Sequence, residues 1–468
     1  MVAVCGLAQA ESAPTLPKPL SEVRVESGVL SGLNEGVVHA FLGIPYAAPP
    51  IGLLRWRPPQ LPVSWNGTLA ADHFSPSCMQ RPRSGGPWTP EYRIPGPVSE
   101  DCLTINIWTP AKTGSERLAV MVWIHGGAFK SGSASVPIYD GRNLAERGII
   151  VATLNYRLGV LGFLAHPQLT AESERKVSGN YGLLDIIAAL QWLQRNVAAF
   201  GGDAQRLTIA GQSAGAFAVE LLQISPAAHG LFHQAIAESG SAGRDIRWRS
   251  LSEAERRGAL YLQARMQPSI DKLRQLPVAQ LYAAGSSGDA APDRNFPPIA
   301  DGITIPDDND ATSAIKPYDV AMLTGLNADE HGSFRASMSA AARLATSKAA
   351  RATLLDWAGR RAAQSQSPLY LYLYDHVEAG TESARWGAFH ASEIPYVFDT
   401  LKAAPQRPFS ATDREVTRRM AGYWLNFVKT GNPNRPGLPH WPSFNPAAPA
   451  VMEIGDRNDL IHDRSKLH

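Results

Sequence analysis

The stretch LTIAGQSAGAF, residues 207–217, sets one serine between two glycines directly after a short apolar run. RLTIAG (206–211) reads as a buried strand, and AGAFAVELLQ (214–223) reads as a helix that begins at once after Ser213. A strand that turns into a helix through one residue forces that residue into a strained backbone conformation. Gly211 and Gly215 lack a Cβ, so strand and helix can approach closely and hold the hydroxyl out at a helix N-terminus. The free N–H groups and the dipole there favour an oxyanion. The bland alternative is an ordinary Gly-Ser turn, because G-x-S-x-G alone is a weak pattern.

The surrounding runs fix the class of sheet. RLAVMVWIHGG (117–127) and GIIVATLNYR (148–157) are nearly continuous apolar runs, as expected of strands buried on both faces. VAMLTGL (320–326) and LYLYLYD (369–375) extend the series, and SEVRVESGVLSGL (21–33) alternates like an edge hairpin. Between them, YGLLDIIAALQWLQRNVAAFGGD (181–203) places Leu183, Ile186, Ile187, Leu190, Leu193 and Val197 at helical spacing before Gly201-Gly202. Alternating strand and helix predicts an α/β chain with a mostly parallel central sheet and helices on both faces. The Ala- and Arg-rich helical stretches 337–364 and 411–429 have no obvious strand partners and are expected as a cap or flank.

Composition narrows the function. The 468 residues carry 44 basic and 42 acidic side chains, a net charge of +2, with no basic block to suggest nucleic-acid binding. No apolar run approaches the roughly 18 residues of a membrane span. MVAVCGLAQAESAPT (1–15) resembles the tail of a secretory leader with an A-x-A site, though it lacks a basic start. Residues 1–21 are therefore expected as leader and linker, and 22–468 as one catalytic domain. The expected location is periplasmic or secreted, with a frayed terminus on a cytoplasmic protein as the alternative. If exported, the chain loses Cys5, and Cys78 and Cys102 remain to form a disulfide; in the cytosol both would stay reduced.

WIHGGAF (123–129) ends another predicted strand, and its small residues let backbone N–H groups face a site unobstructed. Gly127, Ala128 and Ala214 are the expected three-donor oxyanion hole. With FLGIPYAAPPIGLLRWRPP (41–59), SEDCLTINIW (99–108), LNYRLGVLGFL (154–164), GNYGLLDIIAALQWLQRNVAAFGGDAQRLTIAGQSAGA (179–216), FHQAIAESGSA (232–242) and WLNFVKTGNPN (424–434), the chain resembles the type B carboxylesterase family of the α/β-hydrolase fold, which includes the cholinesterases. The likeness runs in order from about residue 22 to residue 455.

That resemblance implies a Ser-acid-His order. His390 in WGAFHASEIPYVF matches the family's histidine motif, with Glu393-Ile394 following; His376 is read as structural, and His440 and His462 lie outside the motif. Glu330 in TGLNADEHGSF aligns with the family's acid, Asp329 is expected to point elsewhere, and His331 to be solvated or packed. Ser239 is implied as a support for the Glu330–His390 pair. Gln212 stands where cholinesterases carry glutamate, which steers the reading from choline esters toward a general carboxylesterase. The acid-to-histidine interval of 60 residues (390 − 330) is short for the family and implies a wide site for bulky esters. No metal or organic cofactor is implied. The expected partner is a small-molecule ester, and a monomer is expected with the oligomeric state open. Amides, carbamates, lactones or lipids suit the same triad, and a non-catalytic adhesion or binding role is the alternative of a different kind.

Overall fold

A computed structural model describes residues 20–81, 85–240, 248–282, 296–306, 316–330, 339–380 and 383–461. Residues 1–19 of the expected leader and linker (1–21), His331 and His462 lie outside the described residues. Thirteen strands form the main sheet: β1 (Glu22–Val25), β2 (Gly28–Glu35), β3 (Val38–Pro45), β4 (Thr68–Ala71), β5 (Thr104–Thr109), β6 (Leu118–Ile124), β7 (Ile150–Leu154), β8 (Gly202–Gln212), β9 (Gln234–Glu238), β10 (Ala321–Asn327), β11 (Leu369–Tyr374), β12 (Val451–Ile454) and β13 (Asn458–Ile461). Their spatial order is β1-β2-β3-β5-β7-β6-β8-β9-β10-β11-β12-β13, with β4 against β2. From β7 to β12 every neighbouring pair is parallel; the strands outside that run are mainly antiparallel.

The continuous apolar runs are strands covered on both sides, and side chains alternate between two cores. Along β6, Val120, Val122 and Ile124 enter one layer, while Ala119, Met121 and Trp123 enter the other. Helix α1 (Tyr181–Asn196) packs Leu183, Ile186, Ile187, Leu190 and Leu193 into the first layer, with α2 (Ala214–Leu222) beside it. Val197 continues into a 3₁₀ turn that Gly201 ends at φ +81°. Helix α3 (Ala340–Gln364) adds Ala350, Leu354 and Ala358 to the same layer.

Of the cap and flank alternatives for 411–429, the helix is a flank. After the short helix α4 (Ile394–Phe398), α5 (Ala411–Thr430) lays Val416, Met420, Trp424 and Phe427 on the opposite sheet face, among Met121, Trp123, Ala210, Ile236 and Leu323. A capping box of Ser410 and Asp413 starts α5, and Gly431 at φ +75° stops it. Cys78 and Cys102 are joined as a disulfide with Cα atoms 5.0 Å apart. Among the described residues no helix is long and apolar enough to cross a membrane.

Strand and helix approach closely at the opening motif. A Cβ on Gly215 would stand 1.9 Å from the carbonyl oxygen of Ile124, and one on Gly211 2.6 Å from the carbonyl carbon of Gly215. Both neighbours are backbone and cannot swing aside. Gly215→Ala is therefore expected to lower soluble yield and thermal midpoint sharply. Gly359→Ala, in α3 with no atom within 4 Å of the added methyl, should be neutral or stabilising by up to about 1 kcal/mol. Thermal melts of both variants check the contrast. Thiol titration of the native protein should find Cys78 and Cys102 unreactive, and reducing this bridge across 24 positions should cost roughly 3 kcal/mol in a denaturant melt.

Candidate active site

Four strand ends deliver the site. β8 ends at Gln212, and Ser213 follows with φ 55° and ψ −121° before α2 begins. Such a conformation costs a non-glycine residue about 1–3 kcal/mol and persists only where its surroundings enforce it. Here the Ser213 N–H donates to the Glu238 carbonyl at 2.8 Å, and the Ser213 carbonyl accepts from Phe217 N–H at 2.9 Å. Both backbone groups are thus committed, one to each neighbouring element. Ser213 itself stays half-buried, open to a small molecule.

The end of β6 supplies His125, Gly126, Gly127 and Ala128. Gly127, Ala128 and Phe129 all have positive φ, at 112°, 59° and 56°, so the chain coils tightly. The Gly127 carbonyl accepts from the N–H groups of Lys130 and Ser131, and the His125 ring bonds the Gly126 carbonyl at 2.8 Å. His125 also stacks on Tyr156, with centroids 4.5 Å apart, while the Tyr156 hydroxyl donates to the His125 carbonyl. Burial drives the His125 pKa down to about 4, against the pull of its bond to Gly126, so the ring is neutral. A Cβ on Gly126 would lie 3.1 Å from the Ser213 Cβ, so this coil runs beside the serine. Among the described residues, the N–H groups of Gly127, Ala128 and Ala214 have no hydrogen-bond acceptor.

β10 leads into Glu330, which is buried. Its Oε1 accepts from the Asn327 N–H at 2.8 Å and from the Ser239 hydroxyl, and its Oε2 faces His390 Nδ1 at 2.5 Å. Burial raises the carboxyl's pKa, but the His390 charge and these hydrogen bonds outweigh it, and the net value lies below the ordinary one. Glu330 is thus an anion at neutral pH. Asp329 does point elsewhere: its Oδ2 accepts from the Ala388 N–H and its own N–H donates to the Ala388 carbonyl, both at 3.0 Å. Those bonds pin the loop that carries His390. Gly387 is required there, because a Cβ would stand 2.1 Å from Asp329 Oδ2.

His390 is buried, with Nδ1 on Glu330 and Nε2 3.2 Å from the side-chain nitrogen of Gln212. Gln212, expected only as a neighbour of the serine, therefore touches the imidazole. Ser239 sits at φ 55°, on Glu330 as expected. His376, the rival histidine, is locked between Asp413 and Asp456 at 2.9 and 2.7 Å, away from Ser213, and His440 is exposed.

Two residues the sequence did not single out complete the site's underside. Asn327 Nδ2 donates to the Phe389 carbonyl at 2.7 Å and to Glu393 Oε2 at 2.5 Å, so one side chain ties the acid loop to the histidine loop. Glu238, at the end of β9, accepts from the Trp424 indole at 2.7 Å. The signal for Asn327 and Glu238 is a polar residue closing an apolar strand run; alone it marks only a strand end.

A sequence model described as the carboxylesterase family matches residues 19–358 and 337–467. Fumonisin B1 esterase of Sphingopyxis macrogoltabida is 37% identical, over 90% of this chain and 84% of that one. Para-nitrobenzyl esterase of Bacillus subtilis (strain 168) is 33% identical, over 90% and 92%. A solved thermophilic PNB esterase superposes with a TM-score of 0.82 at 30% identity, covering 96% of this chain and all of that one, 100%.

Removing the Asn327 side chain leaves Glu393 and the Phe389 carbonyl without their donor and frees the histidine loop. Asn327→Ala is expected to lower kcat for ester hydrolysis by about 10- to 100-fold with little change in KM, because geometry rather than binding is lost. Steady-state kinetics on a chromogenic ester reads that split; a change confined to KM would contradict it.

Proposed function

The chain belongs to the carboxylesterase family and is a carboxylic ester hydrolase, and from that premise we propose that it works in two steps through Ser213, His390 and Glu330. In the first, Ser213 Oγ attacks the ester carbonyl while its proton passes to His390 Nε2. Glu330, ionised and bound to Nδ1, orients the ring and balances the imidazolium. The N–H groups of Gly127, Ala128 and Ala214 receive the oxyanion, each such donor contributing roughly 3 kcal/mol. The C–O bond breaks, and the alcohol leaves with the proton from Nε2. In the second step water gives a proton to the same nitrogen, attacks the acyl group, and releases the acid with Ser213 restored.

The observation that carries this reading is the short contact between His390 Nδ1 and Glu330 Oε2, 2.5 Å, beside a serine held at positive φ. A buried anion against a ring whose other nitrogen faces the serine turn fits a general base. Ser239 and Gln212 serve as its immediate supports. Relatives named for fumonisin B1 and para-nitrobenzyl esters favour bulky esters as the substrate class, in line with the short acid-to-histidine interval. The Cys78–Cys102 disulfide favours an oxidising, periplasmic or secreted location.

The test is a panel of p-nitrophenyl and aryl esters, small and bulky, with wild type and Ser213→Ala. Wild type should show a burst of one p-nitrophenol per chain and prefer the bulky members. Ser213→Ala should lose the burst and at least about 10³-fold of kcat. Equal rates in the two proteins would sink the assignment to Ser213, and restriction to acetates the bulky-ester reading.

A further inference from the structure

Two buried carboxyls lie under the site and have no part in the two-step reaction. Glu238, on β9, faces Gln212 of β8 on one side and Gly325 of β10 on the other, and Gly325 faces Tyr372 of β11. All of these point to the α5 side of the sheet or, for glycine, leave room there. Glu393 follows His390 by three residues and caps α4. Both carboxyls are fully enclosed, at 0% exposure. Each has one oxygen held by a neutral donor: Glu238 Oε1 by the Trp424 indole, and Glu393 Oε2 by the Asn327 amide. Each has a second oxygen, Glu238 Oε2 and Glu393 Oε1, with no partner among the described residues; the same holds for the Tyr372 hydroxyl and Asn327 Oδ1 nearby.

The groups that face the pair are Gln212 from β8, Glu330 and His390 from the site loops, Tyr372 and Tyr374 from β11, Tyr92 from the 3₁₀ turn at 90–92, and Trp424 from α5. Among the described residues no lysine or arginine joins them. The one ring that can carry positive charge is already committed to Glu330. An unpaired buried carboxylate costs several kcal/mol, and two whose charges would repel each other and Glu330 cost more, whereas a protonated acid adds a donor.

We propose that Glu238 and Glu393 are a pair of neutral carboxylic acids that brace the serine and histidine loops from beneath and leave Glu330 the sole anion at the base. They are positioning residues: Glu238 acts through Gln212, its partner on β8, and through Ser239, the next residue of its own chain, and Glu393 through Asn327. Burial pushes the Glu238 pKa up to about 8, and Glu393 is raised well above the usual range by burial and by the negative charges of Glu238 and Glu330. The folded protein therefore keeps protons that the unfolded chain gives up near pH 4.5. The contribution of these two groups to stability is fully present below that pH and is lost as pH climbs toward 8.

The assignment to a catalytic site rests on the proposed Ser213 mechanism, but two of its three readouts do not. Infrared spectra of the wild-type protein at pH 7, where exposed carboxyls are ionised, should retain a protonated C=O band that shifts on deuteration. Glu238→Gln keeps an oxygen for Trp424 and puts an NH2 where the unpartnered Oε2 stands, a donor like that of the neutral acid, without titrating. Its thermal midpoint should match wild type near pH 5 and exceed it by a growing margin toward pH 8. For catalysis, Glu238→Ala should lower kcat by roughly tenfold, and Glu238→Gln should restore it. A missing infrared band, or a midpoint difference that is constant with pH, would overturn the neutral pair even if Ser213→Ala abolishes turnover. A dead Glu238→Gln that folds normally would show an ionised Glu238 and overturn it too.

Discussion

Gly211 of β8 faces Ile124 of β6, Gln212 faces Glu238 of β9, and Glu238 faces Gly325 of β10. This in-register parallel pairing is the constraint on which the site depends. It ends the strands at one edge, so that their next residues, His125 to Ala128, Ser213, Ser239 and Glu330, emerge side by side. A slip of one residue would turn each side chain to the other face and separate the serine from the acid. Large apolar side chains on both layers hold the register. Close backbone contact at Gly215 holds the height of the serine above it. Open α/β sheets gather ligands at the carboxyl ends of their strands for the same geometric reason.

The electrostatics follow from how few charges that edge carries. Glu330 collects a backbone N–H, a hydroxyl and an imidazole N–H, enough to keep a buried carboxylate ionised. Glu238 collects the Trp424 indole, and Glu393 the Asn327 amide and its own backbone N–H, all neutral donors. Three glutamates at one depth thus sit in different surroundings, and the donor count separates them as firmly as burial does. His125 shows the same logic in reverse, kept uncharged by burial, so that it fixes a loop without adding a charge to it.

What was legible in the sequence was what is local. The Ser213 turn, the Gly127–Ala128 coil and the apolar face of α1 are written in consecutive residues, and they stand where the spacing placed them. The choice of Glu330 over Asp329 came from family likeness, and the geometry that separates the two, Asp329 bonding Ala388 across 59 positions, is long-range. Asn327 and Glu238 were not legible for the same reason. Their partners Phe389, Glu393 and Trp424 lie 62 to 186 residues away, and nothing in either neighbourhood announces them. The helix at 411–430 has a clear apolar stripe, but periodicity does not say what the stripe covers. Only the sheet's lower face, left bare by α1, α2 and α3, decides that.

Gln212 shows how a contact can be specified by register yet act through chemistry. Its backbone closes β8, and its side chain reaches His390 Nε2 at 3.2 Å. A carboxamide carries both an N–H donor and a carbonyl acceptor, so it can meet that nitrogen in either role. Once the ring is protonated, the same carboxamide can turn its oxygen toward the new N–H. A carboxylate at this position could serve only the protonated form and would add a second anion beside Glu330. An amide serves both forms without favouring either by charge. Neutrality at Gln212, and in the proposed pair Glu238 and Glu393, then leaves Glu330 as the carboxylate bonded to the ring.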